Sequence, residues 1–293
     1  MFARFSTTSL LAAALTLGAA APVLAADALR LDVYNPGTAA LFPVSSVLVS
    51  GAHDAILIDA QFGKTQAAEL VERIRASGKT LTTIYISHGD PDYYFGLETL
   101  RAAYPSARIV ASAPTVAHIR QTMAAKLAFW GPKLGADAPA STIVPETLDG
   151  DTLKLEGHTL AIVGLHGRQP DRSFVWIPSI KAVVGGVVLF NNQHVWMADT
   201  QSAQSHADWL ATLRTIARLH PRTVVPGHAL PGPSSPRQSV AFTAGYIRAF
   251  DAAASRSHDA GTLIAAMKAR YPQAGEEGAL DISARVATGE MKW

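Results

Sequence analysis

Cysteine is absent from all 293 residues. That absence excludes disulfides, a thiolate nucleophile, cysteine-ligated zinc and a lipid-anchored cysteine. Such a chain must rely on its core, and its length suffices to bury one. Charge is sparse as well: Asp, Glu, Lys and Arg make up 16% of the residues, with 25 bases against 23 acids and no block of Lys/Arg. The balance gives no electrostatic case for nucleic acid or an anionic membrane as partner. Long apolar runs are missing except near the start, where Arg4 precedes an Ala/Leu-rich stretch from Ser9 to Ala21 that is broken by Gly18 and followed by Pro22. The stretch is short of the ~20 residues of a spanning helix. Pro22-Val23-Leu24-Ala25 ends it in a small-x-small pattern suited to cleavage. Residues 1–25 are therefore expected to be a signal peptide and residues 26–293 a single exported domain, periplasmic or secreted.

Several catalytic signatures are missing too. Gly63-Lys64-Thr65 and Gly78-Lys79-Thr80 look like the ends of phosphate loops, but Ile58 and Arg73 stand where the first glycine is required. There is no Gly-x-Ser-x-Gly elbow, and no Ser-x-x-Lys followed by Lys-Thr-Gly. No Ser/Gly/Pro linker divides the chain, and no repeat recurs at solenoid periods.

What is present is an alternation of buried strands and amphipathic helices. Leu29–Tyr34, Ser46–Ser50 and Ala55–Asp59 read as strands. Lys64–Ala76 carries Ala67, Leu70, Val71 and Ile74 at helical spacing and stops at Gly78. Thr82–Ile86 is a further strand, followed by a polar turn, a short helix to Ala103, a strand at Arg108–Ala111 and a helix opening at Pro114. Lys126–Lys133, with adjacent Phe129 and Trp130 before a Gly-Pro break, reads either as a lid or as a loop anchored to the core. Short strands follow at 152–155, 160–165, 174–177, 182–184 and 187–190. A capping box at Ser205–Asp208 is expected to open a helix. Thr223–Val225 is a strand, helices are expected at 239–254 and 262–271, and the last dozen residues suggest no role. The order predicts an α/β fold of two sheets packed face to face with helices outside, a four-layer αβ/βα sandwich.

The chemistry concentrates in Ser87–Gly96, SHGDPDYYFG, a turn at the C-terminal end of a strand, where open α/β sheets tend to place ligands. A packed core has no use for His88, Asp90 and Asp92 so close together, although an exposed Gly/Asp/Pro turn has the same composition. Of the ten histidines, His118, His158, His220 and His258 read as structural or solvated, His53 as a turn residue and His206 as part of a helix N-terminus. His88, His166, His194 and His228 remain as candidates. Imidazole and carboxylate together suit zinc, iron or manganese. A bound ion would bring a water's pKa toward ~7, with Asp92 orienting the hydroxide.

The stretch from Ala55 to Gly96, together with "DRSFVWIPSIKAVVGG" at 171–186 and "TVVPGH" at 223–228, resembles the metallo-β-lactamase-fold hydrolases. Their loop motif is His-x-His-x-Asp-His. The resemblance implies His88 and Asp92 as retained ligands, with Asp90 and Tyr93 in place of two histidines. His228 keeps the last ligand position. The family's Gly-His-Thr falls at Gly167-Arg168-Gln169, and its bridging Asp at Gly186. The implied site is mononuclear: one divalent ion, zinc or else iron or manganese, on His88, Asp90, Asp92 and His228. His166 or His194 would complete it, Tyr93 and Arg168 would line it, and Asp59 would support the loop by hydrogen bonding from the adjacent strand end. The resemblance implies hydrolysis of an ester, lactone, amide or phosphoester. The alternative is a non-catalytic ligand-binding protein without metal, in which Arg168 recognises an anion.

Overall fold

The structure is a computed structural model describing residues 1–2, 28–232 and 235–293. The expected signal peptide lies almost wholly outside these residues. In chain order the elements are β1 (Arg30–Tyr34), β2 (Ser46–Ser50), β3 (Asp54–Ile58), α1 (Lys64–Ser77), β4 (Thr80–Ile86), α2 (Pro91–Tyr94), α3 (Leu97–Ala103), β5 (Arg108–Ala111), α4 (Ala113–Leu134) and β6 (Glu146–Thr147). There follow β7 (Thr152–Leu155), β8 (His158–Val163), β9 (Phe174–Ile177), β10 (Ala182–Val184), β11 (Phe190–Asn191), α5 (Ala203–Arg218), β12 (Thr223–Val224), β13 (His228–Ala229), α6 (Pro236–Ala254), α7 (Ala260–Arg270) and α8 (Glu277–Ala287).

One sheet runs β1-β2-β3-β4-β5-β6 and the other β12-β10-β9-β8-β7. The first begins antiparallel and turns parallel from β3 onward. Side chains alternate across a strand, and the two faces of β2 and β3 go to different cores. Val47, Val49, Ile56 and Ile58 meet Leu160, Ile162, Val175 and Val184 of the second sheet. Leu48 and Leu57 face outward to a larger core that holds Leu70, Val71 and Ile74 of α1. On the far side, Trp209, Leu213 and Ile216 of α5 and Tyr246 and Phe250 of α6 belong to the same outer core as Val183 of β10. Helix, sheet, sheet, helix is the α/β sandwich that the alternation predicts.

Four segments differ from expectation. Residues 126–133 form neither lid nor loop but the last turns of the 22-residue α4, whose only proline beyond its first turn, Pro132, sits near the end, just ahead of Gly135 at φ 58°. Val187–Leu189 are buried but lie outside the strand, which is confined to Phe190 and Asn191 paired with His228 and Ala229. The capping box of α5 is made by Ser202 and Ser205 rather than by Ser205 and Asp208. The C-terminal end carries α8, whose Leu280 and Ala284 are buried in the outer core.

Candidate active site

β3 and β4 are parallel neighbours, so their C-terminal ends lie side by side. Asp59 leaves β3 there and accepts hydrogen bonds from Ser87 N at 2.8 Å and Ser87 Oγ at 2.7 Å. Burial pushes the Asp59 carboxyl up to about 7, with the two Ser87 bonds pulling the other way. Ser87 Oγ in turn accepts from Gly186 N at 2.7 Å. One buried hydroxyl thus fastens the strand end, the following turn and the Gly185-Gly186 turn together.

Beyond that anchor the polar groups fall into two pairs. His88 Nδ1 donates to Asp171 O at 3.1 Å, and its Nε2 faces Asp90 Oδ2 at 3.0 Å. Burial disfavours charge on His88, but the Asp90 carboxylate outweighs it and raises the imidazole's proton affinity. Asp90 is correspondingly held low: burial opposes its charge, while His88, Lys126 and His118 favour it. The second pair is Asp92 Oδ2 and His228 Nε2 at 3.3 Å. Burial, then the neighbouring charge of Asp90, raises Asp92, whereas burial depresses His228 to about 3. The turns at 88–92 and at 228 therefore meet in space, although 136 residues separate their last members.

Tyr93 lies between the two pairs. Its ring meets His88 edge-on at 5.3 Å and His228 edge-on at 5.5 Å, and its hydroxyl is buried without a hydrogen-bond partner. The phenol is packed tightly: a Cβ on Gly227 would stand 2.7 Å from Tyr93 Oη and 2.2 Å from Gly186 O. Only glycine fits that turn.

Helix α4 supplies further groups, and of these the sequence marks only the segment around Trp130. His118, Lys126 and Trp130 share one face at four-residue multiples. His118, expected to be structural, lies 3.9 Å from Asp90 Oδ1 and stacks 6.2 Å from His88. Lys126 Nζ is 3.4 Å from Asp90 Oδ1. Their four-residue spacing is the one signal the sequence carries for them. Arg172 is another group without a sequence expectation. Its guanidinium is buried, stacks 4.2 Å from the Trp209 ring and donates to Val187 O at 3.3 Å.

Some of these groups reach a cavity with about 470 Å³ of space free of atoms, part of it open to solvent. Asp90, Asp92, Lys126 and His228 line the inner end, and Phe42, Phe62, Trp130, Trp196 and Trp293 the walls. The walls hold one another: Phe42 meets Trp130 at 5.1 Å and Trp196 at 5.9 Å, and Trp196 meets Trp293 at 5.1 Å. Trp293 Nε1 is fixed by a 2.6 Å bond to Asp199.

The other candidates do not join this floor. His166 is exposed, and Arg168 is exposed with its nearest ionic partner, Asp208, at 3.9 Å. His194 is buried elsewhere, bonded to Tyr246 Oη at 2.9 Å. Gly186 stands at φ 79°, and a Cβ there would lie 2.1 Å from Ser173 O, so no side-chain ligand is possible at that position. Catalytic zinc sites use three protein ligands. Among the described residues no three His, Asp or Glu side chains are grouped to hold an ion. Two pairs of donors, split by a phenol and with an ammonium already on Asp90, do not fit a resident metal.

Residues 39–228 match the family model described as Metallo-beta-lactamase superfamily. A metallo-beta-lactamase from Pontibacter korlensis superposes with a TM-score of 0.55 at 20% identity, over 75% of this chain and 95% of that one. A metallo-beta-lactamase family protein from Thermus thermophilus gives 0.61 at 19% identity, over 89% and 91%. The metallo-beta-lactamase FIM-1 from Pseudomonas aeruginosa, in its mono-zinc form, gives 0.50 at 19%, over 75% and 90%. No curated protein matches the chain.

Proposed function

Because the chain belongs to the metallo-beta-lactamase superfamily, we propose that the aromatic-walled cavity is the active site of a small-molecule hydrolase whose acid–base group is the Asp92–His228 pair. The observation that carries this reading is the 3.3 Å contact of Asp92 Oδ2 with His228 Nε2 at the inner end of the cavity. A carboxyl and an imidazole so placed form a unit across which a proton can pass. Such a unit can accept a proton from an attacking water and return one to the leaving group. His88, Asp90 and Lys126 fix the charge beside it, and the rings exclude water from the apolar part of an ester, lactone, amide or phosphoester. The N-terminal signal pattern supports a reaction outside the cytoplasm as part of the same proposal.

The test is turnover of chromogenic representatives of those four classes. Activity on at least one, lost in Asp92→Asn and His228→Ala and unchanged by chelators, supports the reading. Turnover that needs added zinc, iron or manganese and disappears on chelation would replace it with the mononuclear metal site. A second reading, a ligand-binding protein without catalysis, is favoured by one feature: each acidic group of the floor already faces an imidazole or ammonium. Ligand-induced stabilisation with no turnover in any class would select that reading.

A further inference from the structure

We propose that Lys126 is the resident cation of this site, in the place a metal would otherwise take, and that it binds the carboxylate of a flat, apolar acid. The inference rests on the cavity being the ligand site, and it deepens that reading by naming the ligand class.

The floor holds its own positive charge. Lys126 reaches it from α4 with its side chain 17% exposed, and its Nζ lies 3.4 Å from Asp90 Oδ1 and 4.8 Å from the centroid of the Trp293 ring. Asp90 is itself held from the other side, since its Oδ2 faces His88 Nε2 at 3.0 Å. The carboxylate therefore acts as a bracket that keeps the ammonium at the cavity wall. An ammonium carries three N–H donors, and among the described residues Asp90 is the only hydrogen-bond acceptor of Lys126. Donors thus remain for a ligand at the inner end of the cavity.

The remaining lining selects the body of that ligand. Phe42, Phe62, Trp130, Trp196 and Trp293 line the cavity, so most of its wall is aromatic ring. Flat apolar groups fit between rings, where charge is also less screened than in water. An apolar plate with a single anionic end matches rings at one end and an ammonium at the other. For a hydrolase, that acid is the product of the reaction and the acyl half of the substrate.

Calorimetric titration of the full chain with sodium 2-naphthoate and with neutral 2-naphthamide tests this. The acid is expected to bind at least about tenfold more tightly than the amide, the range for a hydrogen bond to a charged group. Lys126→Met should weaken naphthoate by a similar factor and leave naphthamide within about twofold. Lys126→Arg, which keeps the charge, should restore most of the loss and shows that the Met effect is not misfolding. Equal binding of the two probes, no binding of naphthoate, or no loss in Lys126→Met overturns the proposal. So does one equivalent of Zn²⁺ bound by the wild-type chain from zinc sulfate alone and lost in His228→Ala. The 4-nitrophenyl ester of the same acid separates the two inferences. Lys126-dependent naphthoate binding with no turnover of this ester or of the four substrate classes above keeps this one and retires the hydrolase; turnover without Lys126-dependent binding does the reverse.

Discussion

Replacing Ser87 by alanine removes one oxygen and breaks the knot beneath the site. The side chain is fully buried, donates to Asp59 Oδ2 at 2.7 Å and accepts from Gly186 N at 2.7 Å. Alanine leaves no steric gap of consequence but strips a partner from a buried carboxylate oxygen and from a buried amide. Each orphaned group costs about 1–3 kcal/mol, so a loss of roughly 2–6 kcal/mol is expected, against a typical total of about 5–15 kcal/mol. With a urea slope of about 1–3 kcal/mol/M, the midpoint should fall by about 1 M or more at unchanged slope, read from tryptophan fluorescence. The same variant has a pH signature. Asp59 stands at about 7 in the folded chain, against about 3.9 when unfolded. The folded state therefore binds the extra proton between those values, and the Asp59 contribution to stability falls as pH rises through that window and levels off above it. The Ser87 hydroxyl is one of the groups holding Asp59 down, so in Ser87→Ala the decline should continue past pH 7. Asp59→Asn should flatten the wild-type slope in that window. A stability loss under about 0.5 kcal/mol, or a decline that levels off at the same pH in both proteins, would refute the argument.

Three further outcomes are expected. Gly186→Ala, with its Cβ 2.1 Å from Ser173 O and a positive φ, should lower the melting temperature by more than about 5 °C in a thermal scan. Glu156 accepts the amides of Asp54, His53 and Ala52 and is lowered to about 2. Its stabilisation is complete above the ordinary carboxylate range and lost as pH falls toward that value, so Glu156→Gln should show a shallower fall in melting temperature over acid pH. Trp293→Ala removes a cavity wall and the ring under Lys126, and should weaken 2-naphthoate about two- to tenfold by calorimetry, the worth of one aromatic contact.

The sandwich was legible because strand alternation and helical spacing are local properties. Val47 and Val49 against Leu48 already announce two faces. The turn at His88 was legible for the same reason, since three polar groups and its strand are contiguous. What could not be read was which distant side chains meet it. Lys126 and His118 come from a helix that also carries Arg120, Gln121, Thr122 and Lys133, so nothing local beyond their spacing marks those two out, and Arg172 is a buried charge that composition argues against. Val187–Leu189 misled in the opposite way, because an apolar run satisfies a loop buried under α5 and α6 as well as it does a strand. The sequence already puts glycine where the family has its bridging Asp; what it does not show is the backbone crowding, a Cβ 2.1 Å from Ser173 O, that leaves no room for a side chain there.

The six phenylalanine and tryptophan rings around the cavity, at 42, 62, 130, 190, 196 and 293, are spread along the whole chain. No fragment of the protein holds more than a corner of the binding chamber, so a partly folded chain offers a ligand nothing to grip. Occupancy is then coupled to the all-or-none folding transition. A compound that fits should raise the melting point of the whole molecule, which makes simple heating in the presence of candidate acids a direct way to search for the natural one.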